Sequence, residues 1–471
     1  MLSTLLARYW ISIHGLVTLL ALATYLTATH SLRQRRHPSA AIAWVLSLAL
    51  IPYVALPLYL LFGNRKVARP VPAPRPPPSV SVDQSASPAA ARLQTLASTL
   101  GLPVPSSYDH FDLHEDGRHA RRSLIAVIDS AASSLDLCTF VLGRDVLGRE
   151  ICSHLVQSAQ RGVRVRLMLD GIGRYLGGHT DLGPLRTAGV QVCIFVSPFK
   201  SPFPGRTNLR NHRKMVIADE QRLWLGGRNF AAEYFEGDPA FGPRQSAWID
   251  LSFELRGPIS RQAQAQFNKD WAFATQGDRI GRVPATESAR VLDAPSAQLV
   301  PSGPDQGEDT VYTLLISSCF AAQSRILAVS PYFVPDATLQ MALTLAARRG
   351  VVVDLVLPRK SNHRLADMAR RAALRELSAS GARVWLVPDM VHAKAIVVDE
   401  EVAFAGSANL DERSLFLNYE IMVAFYSRPQ VREFAQWIER RRAGAHLYTA
   451  RPPGILREFG EGIVRWLAFQ L

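Results

Sequence analysis

The first 82 residues of this 471-residue chain contain no aspartate or glutamate. The same stretch holds Arg8, Arg33, Arg35, Arg36, Arg65, Lys66, Arg69 and Arg75, so eight of the net +13 charges fall there and only +5 is left for the rest. A basic excess gathered at one end favours lipid head groups over a nucleic-acid groove. Cysteine is scarce as well. Cys138, Cys152, Cys193 and Cys319 have no paired spacing, which argues against a disulfide framework and reads as reduced core thiols. No Gly-rich phosphate loop and no acidic metal cluster of the sort used by nucleotide-linked donors is present. Lysine, arginine and acids are also missing from Tyr9 to Leu32 and from His37 to Asn64. Each run is long enough to span a bilayer. Tyr9, Trp10, Trp44, Tyr59 and Phe62 sit near the ends as interfacial aromatics do, and Pro52 and Pro57 are placed to kink the second helix. Ala21-Leu22-Ala23 looks like a signal-peptide cleavage site, but the apolar stretch runs past it to Arg33. Basic flanks argue against buried soluble helices. The outer flanks outnumber the loop in basic residues by a narrow margin, which puts the catalytic part on the cytoplasmic side.

One pattern occurs twice. His212-Arg213-Lys214-Met215-Val216-Ile217-Ala218-Asp219 and His392-Ala393-Lys394-Ala395-Ile396-Val397-Val398-Asp399 both read H-x-K-x4-D. A small-residue turn follows each, Gly226-Gly227-Arg228-Asn229 and Gly406-Ser407-Ala408-Asn409, with Gly 14 and Asn 17 residues past the His in both. A lone H-x-K means little. The doubled register is specific, because chance must supply every position twice.

The residues after each His are mostly apolar and β-branched, so each motif predicts a buried strand with His and Lys on one face. Two such halves about a pseudo-twofold axis bring two imidazoles and two ammoniums together. That set suits a phosphodiester: one neutral His attacks phosphorus and the other protonates the leaving oxygen. Lys214, Lys394, Asn229 and Asn409 are the candidates to hold the phosphoryl oxygens. A carboxylate on the second ring nitrogen would fix the nucleophilic tautomer, and Asp250 and Glu420 are candidates for that task. Asp219 and Asp399, at the far strand ends, read as structural ion-pair residues within the motif. Chance His and Lys in core strands is the bland alternative. It fails because four ionisable groups buried without partners cost too much. A two-His metal site is disfavoured by the adjacent lysines and the lack of a zinc-type ligand set. His110, His114 and His119, in YDHFDLHEDGRH, read as a polar loop rather than a metal site. No cofactor and no metal are expected.

These residues resemble the phospholipase D superfamily and, more narrowly, bacterial cardiolipin synthases. The resemblance is carried by Leu209 to Lys214, by Ser330-Pro331-Tyr332-Phe333-Val334-Pro335-Asp336 and by GSANLDERSLFLNYE from Gly406 to Glu420, and it covers nearly the whole chain. It implies metal-free, two-step phosphatidyl transfer through a phosphohistidine on His212. His212, Lys214, Asp219, His392, Lys394 and Asp399 are the implied catalytic set. Phosphatidylglycerol and other anionic phospholipids would be the partners, at the bacterial inner membrane, with no nucleic acid. The expected reaction makes cardiolipin and glycerol from two phosphatidylglycerols. Hydrolysis, transfer to another alcohol, or a nucleic-acid phosphodiesterase are the rival activities. A lipid-binding protein with a dead site is opposed by the intact motifs.

Helix–strand units also repeat. Ser158 to Leu167 parallels Leu345 to Leu355, with Gly162 and Gly350 as helix C-caps. A second such turn recurs at Gly189 and Gly381. The fold class is therefore α/β, with a mixed sheet in each of two pseudo-symmetric α-β-α repeats sharing one site, preceded by two transmembrane helices. The expected divisions are a two-helix anchor over 1–66, a Pro/Ser-rich linker over 67–100, repeats over 101–290 and 291–427, and a helical segment over 428–471. The first repeat carries an extra loop, Pro198 to Asn208, read as a surface insertion in preference to a functional lid. Val431, Phe434, Trp437 and Ile438 mark the packed face of a helix, and Ile455, Phe459, Ile463, Leu467 and Leu471 form an apolar stripe that docks on the core or lies in a membrane interface.

Overall fold

The computed structural model describes residues 2–31, 38–62, 87–114, 116–196, 208–237, 247–276, 295–454 and 461. The Pro-rich part of the expected linker, nearly all of the 198–208 loop and the apolar stripe from Ile455 lie outside the described residues.

The chain from Pro88 to Leu447 builds two mixed sheets of matching order. In the first, strands run Ser252–Arg256, Arg222–Gly226, Met215–Ala218, Ser134–Thr139, Arg164–Asp170 and Gln191–Phe195, with His110–Leu113 on the outer edge. In the second, Glu420–Phe425, Val402–Gly406, Ala395–Val398, Arg325–Val329, Val352–Pro358 and Arg383–Val387 follow the same order, flanked by Ser296–Ser302 and His446–Leu447. The last three strands of each set are parallel and the hairpins antiparallel. Helices return the chain between parallel strands, as such pairing demands. Gly162 and Gly350 end the corresponding helices at φ 88° and 91°, a conformation that a Cβ would strain. Asp145 and Asp336 cap the starts of Val146–Gln160 and Ala337–Arg348.

Five layers result. Helices Gly117–Ser130 and Val146–Gln160 cover the outer face of the first sheet, and Thr310–Ala321, Ala337–Arg348 and Arg364–Ala379 cover the second. Between the sheets lie Ile259–Gln276 and Arg428–Ala443. A single apolar cluster joins them, with Met215, Phe253, Phe267, Val397, Phe425, Phe434 and Trp437 buried together. Each such side chain contributes about 1.5–3 kcal/mol, so the halves are held as one body and the site between them is fixed. Val431, Phe434, Trp437 and Ile438 are all fully buried, as the helical spacing predicts.

Several elements differ from the sequence reading. YDHFDLHEDGRH is not a loop: His110–Leu113 pairs with Ser252–Arg256, and Asp116 caps the helix from Gly117 by accepting from the His119 N–H at 2.8 Å. Residues 88–99, inside the span read as linker, form a helix packed on Thr310–Ala321. The second apolar run is two helices, Pro38–Leu50 and Pro52–Phe62, because Pro52 has no N–H for the Leu48 carbonyl. Helix Leu2–Ser31 packs against both. Tyr59 meets Tyr25 at 5.4 Å and Trp44 at 5.2 Å, so Trp44 packs inside this bundle. Among the described residues no helix is long and apolar enough to cross a membrane.

Candidate active site

Each motif begins before its strand rather than within it. His212 and Lys214 precede Met215–Ala218, and His392 and Lys394 precede Ala395–Val398. The reason is that these segments pair with the opposite repeat. The His212 N–H donates to the Tyr419 carbonyl at 2.9 Å, and the Tyr419 N–H to the Arg210 carbonyl at 2.9 Å. The His392 N–H donates to the Ile249 carbonyl at 2.7 Å, and the Ile249 N–H to the Met390 carbonyl at 2.9 Å. Tyr419 precedes Glu420 and Ile249 precedes Asp250. Each repeat thereby hands its carboxylate to the histidine of the other.

The two crossed couples are not alike. His392 Nδ1 lies 2.7 Å from Asp250 Oδ2, whereas His212 Nδ1 lies 3.6 Å from Glu420 Oε1. Asp250 also accepts from the Leu251 N–H at 2.7 Å. Glu420 instead accepts from the hydroxyls of Ser407 (2.5 Å) and Ser414 (3.1 Å) and from the Asn418 amide (3.3 Å). Gly227 stands where Ser407 stands in the other half. A Cβ there would sit 2.3 Å from Asp250 Oδ1, so the serine has no counterpart. The Lys214 ammonium donates to the His212 carbonyl at 2.6 Å, and Lys394 donates to the His392 carbonyl while lying 2.6 Å from Nδ1. Aromatic rings wall the pocket: Phe140 is 4.0 Å from the His212 ring, and Tyr234 and Trp248 are 4.9 and 5.6 Å from His392.

Burial dominates the electrostatics. It depresses both imidazoles, His212 well below the usual histidine range and His392 to about 4, with Lys214 and Lys394 adding to the effect. Each imidazole also feels the other repeat's lysine, so all four groups share one pocket. Burial lowers Lys214, and brings Lys394 down to about 7 against the pull of Asp250. Burial raises Glu420 to about 7, opposed by Lys214 and the serines. Burial would raise Asp250 too, but Lys394 and His392 hold it at about 2. Both imidazoles are held neutral with Nδ1 directed at a carboxylate, and Nε2 of His392 lies 3.1 Å from the Lys394 ammonium.

Other expected residues lie at varied distances from this centre. Asn229 Oδ1 accepts from the Val141 N–H at 3.3 Å and its amide reaches Tyr234. Asn409 is buried and turned to the Asp411 carboxylate, which caps Glu412–Phe416. Among the described residues neither Asp219 nor Asp399 has an ion-pair partner. Asp219 accepts from the N–H groups of Ala132, Ser133 and Ser134, and Asp399 from those of Gln323, Ser324 and Arg325, each with one serine hydroxyl added. They pin the far end of the motif strand to the start of its neighbour. Residues 219 and 399 have φ 51° and 52°, a turn geometry that aspartate tolerates. Arg213, Arg228, Ser407, Phe140, Tyr234 and Trp248 were not singled out as site residues. Only the Arg213–Ala393, Gly227–Ser407 and Arg228–Ala408 mismatches between the two copies carried a signal for any of them.

Two histidine–carboxylate couples crossed between two repeats, with two lysines, define an enzyme of the phospholipase D-like phosphoryl-transfer class. The family described as the cardiolipin synthase, phospholipase D-like domain matches residues 124–271 and 315–442, and a phospholipase D–nuclease N-terminal family matches residues 16–64. Cardiolipin synthase A of Pseudomonas entomophila is 30% identical over 96% of this chain and 97% of its own. The cardiolipin synthase of Halalkalibacterium halodurans is 30% identical over 84% of this chain and 82% of its own. The phosphatidylserine synthase structure from Haemophilus influenzae shares the fold, with TM-score 0.61 over 81% of this chain and 100% of that one at 13% identity. The chain belongs to the cardiolipin synthase family of phosphatidyl-transferring enzymes.

Proposed function

We propose that this enzyme joins two phosphatidylglycerols into cardiolipin and releases glycerol, through a phosphatidyl-His212 intermediate. The observation that carries the reading is the crossed pairing of two unequal histidine–carboxylate couples in one lysine-lined pocket. His212 attacks the donor phosphorus, and the P–O bond to glycerol breaks. His392 gives its proton to the leaving oxygen. The bound anionic diester favours the protonated form of His392, and Asp250 stabilises that imidazolium. Lys214 and Lys394 balance charge on the phosphoryl oxygens. The neutral His392 then takes the proton from the acceptor's hydroxyl, whose oxygen attacks phosphorus and frees His212. The His212 side chain is 21% exposed and that of His392 only 9%, which supports His212 as the group that meets phosphorus. Asp219 and Asp399 act through the strand, not on the substrate. Asn229 and Asn409, turned to Tyr234 and Asp411, would have to give up those partners to hold the phosphoryl oxygens.

Purified enzyme given phosphatidylglycerol alone is expected to yield cardiolipin and glycerol in equal amounts. Phosphatidic acid as the main product would mark a hydrolase, and a requirement for another alcohol a different transferase. The profile of kcat/KM is expected to be bell-shaped around neutrality. Glu420 must be ionised to hold His212, so activity rises as pH climbs through about 7; Lys394 must be charged, so activity falls as pH climbs further past its own value near 7. A profile flat from pH 6 to 8 would refute both assignments.

The N-terminal helices are proposed as the membrane anchor, placing the site at the inner bacterial membrane. Of the 24 large apolar side chains exposed among the described residues, 14 lie between Ile13 and Leu60, a surface suited to lipid. Deleting residues 1–66 is expected to reduce the rate on vesicles at least tenfold more than the rate on detergent-dispersed lipid. Equal losses on both would tie these helices to the catalytic fold instead.

A further inference from the structure

The two halves differ most at two buried arginines. Arg213 lies between His212 and Lys214 and is fully buried. Its Nε donates to the Glu420 carbonyl at 3.0 Å, and Nη2 donates to the Ser302 carbonyl at 3.1 Å and to Asp305 Oδ1 at 3.1 Å. Nη1 pairs with Asp270 of the central helix Ile259–Gln276. Arg228 is 1% exposed. Its Nη2 donates to the Asp250 carbonyl at 2.6 Å, Nη1 to Ser252 Oγ at 2.8 Å and Nε to the Tyr234 carbonyl at 2.9 Å. Each carboxylate residue of the site is thus gripped by its own backbone oxygen.

Pseudo-symmetry makes this more than packing. The counterpart of Arg213 is Ala393, and the counterpart of Arg228 is Ala408. Both clamps come from the first repeat, from different places in it, and they serve the two different couples. One reaches across to the second repeat and the other stays within the first. The donors of both guanidiniums are taken up by protein acceptors, which suits them to holding the site's backbone rather than phosphate.

We propose that Arg213 and Arg228 are positioning residues, Arg213 setting Glu420 against His212 and Arg228 setting Asp250 against His392. The proposal rests on the division of roles given above. A buried arginine suits this task because its planar fork holds several acceptors in one geometry, which the single ammonium of lysine cannot. Asp270 and Asp305 compensate the Arg213 charge, while Arg228 has only neutral acceptors. Lysine at either position keeps the charge and loses the grip. A displacement of about 1 Å in a supporting group costs up to about 100-fold in rate.

The test uses the full chain as Arg213→Lys and Arg228→Lys, each checked by thermal unfolding. Each is expected to lower kcat by about 10–100-fold with KM for phosphatidylglycerol within twofold. The pH profile separates the clamps. Arg213→Lys should move only the acidic limb, which Glu420 sets, and Arg228→Lys only the alkaline limb, which Lys394 sets through Asp250. Should either variant fail to fold, Asp305 and Ser252 leave a milder route: Asp305→Asn weakens one Arg213 contact and should shift the acidic limb alone, and Ser252→Ala removes one Arg228 acceptor and should shift the alkaline limb alone. Unmoved limbs, or a loss of rate that only tracks the unfolded fraction, would overturn the proposal. Mass mapping of the trapped lipid keeps the two readings apart. Lipid on His392 overturns the assignment of roles, whereas lipid on His212 with unmoved limbs overturns the clamps alone.

Discussion

His212→Ala is expected to lose at least about 10⁴-fold in kcat, and His392→Ala a comparable amount, because nucleophile and general acid act in the same transition state. The two losses should not add in the double variant, as groups working as one unit do not contribute independently. The informative result lies in what accumulates. His392→Asn retains the nucleophile but lacks the group that protonates the departing glycerol and then takes the acceptor's proton, so both steps slow and any phosphatidyl group that is transferred is not passed on. Treated with labelled phosphatidylglycerol and digested, that variant should carry the phosphatidyl group on His212. The reciprocal His212→Asn protein should carry none. The geometry gives the reason: His212 is the more exposed ring and its carboxylate contact is the looser, at 3.6 Å. Label found on His392 in the His212→Asn protein would reverse the assignment.

The doubled motif exposed the pairing of repeats because the residues that repeat are those whose chemistry is needed twice. The strand order of each sheet follows from the same duplication, and the glycine C-caps at 162 and 350 locate matching helix ends. What the sequence could not convey is the crossing. Asp250 lies 38 residues beyond His212 and serves His392; Glu420 lies 28 beyond His392 and serves His212. Proximity along the chain pairs each acid with the wrong histidine, and only the bridges at Tyr419 and Ile249 exchange them. Asp219 and Asp399 were read as structural ion-pair residues because they sit at the far ends of their strands. Three backbone N–H groups satisfy each of them instead, and that arrangement depends on a neighbouring strand and its lead-in 74–87 residues distant. The break at Pro52 was legible as a kink and proved to divide the helix.

The unequal couples lead to the second large effect, a ranking of the two carboxylates. Asp250→Asn is expected to lower kcat by about 10⁴-fold, the scale seen when an orienting aspartate beside a catalytic histidine becomes an amide. The amide can donate to His392 Nδ1 and so stabilise the wrong tautomer, and it cannot stabilise an imidazolium. Asp250 also opposes the lowering of Lys394, so the amide would leave that lysine neutral at physiological pH and strip charge from the phosphate site. Glu420→Gln should cost only about 10–100-fold. Glu420 is already near half-protonated at neutrality, its histidine contact is long, and three other side chains hold its oxygens. Measuring kcat for both variants at pH 7, with circular dichroism to confirm the fold, decides the matter. A Glu420→Gln loss equal to or larger than that of Asp250→Asn would mean that the tight couple does not carry the proton.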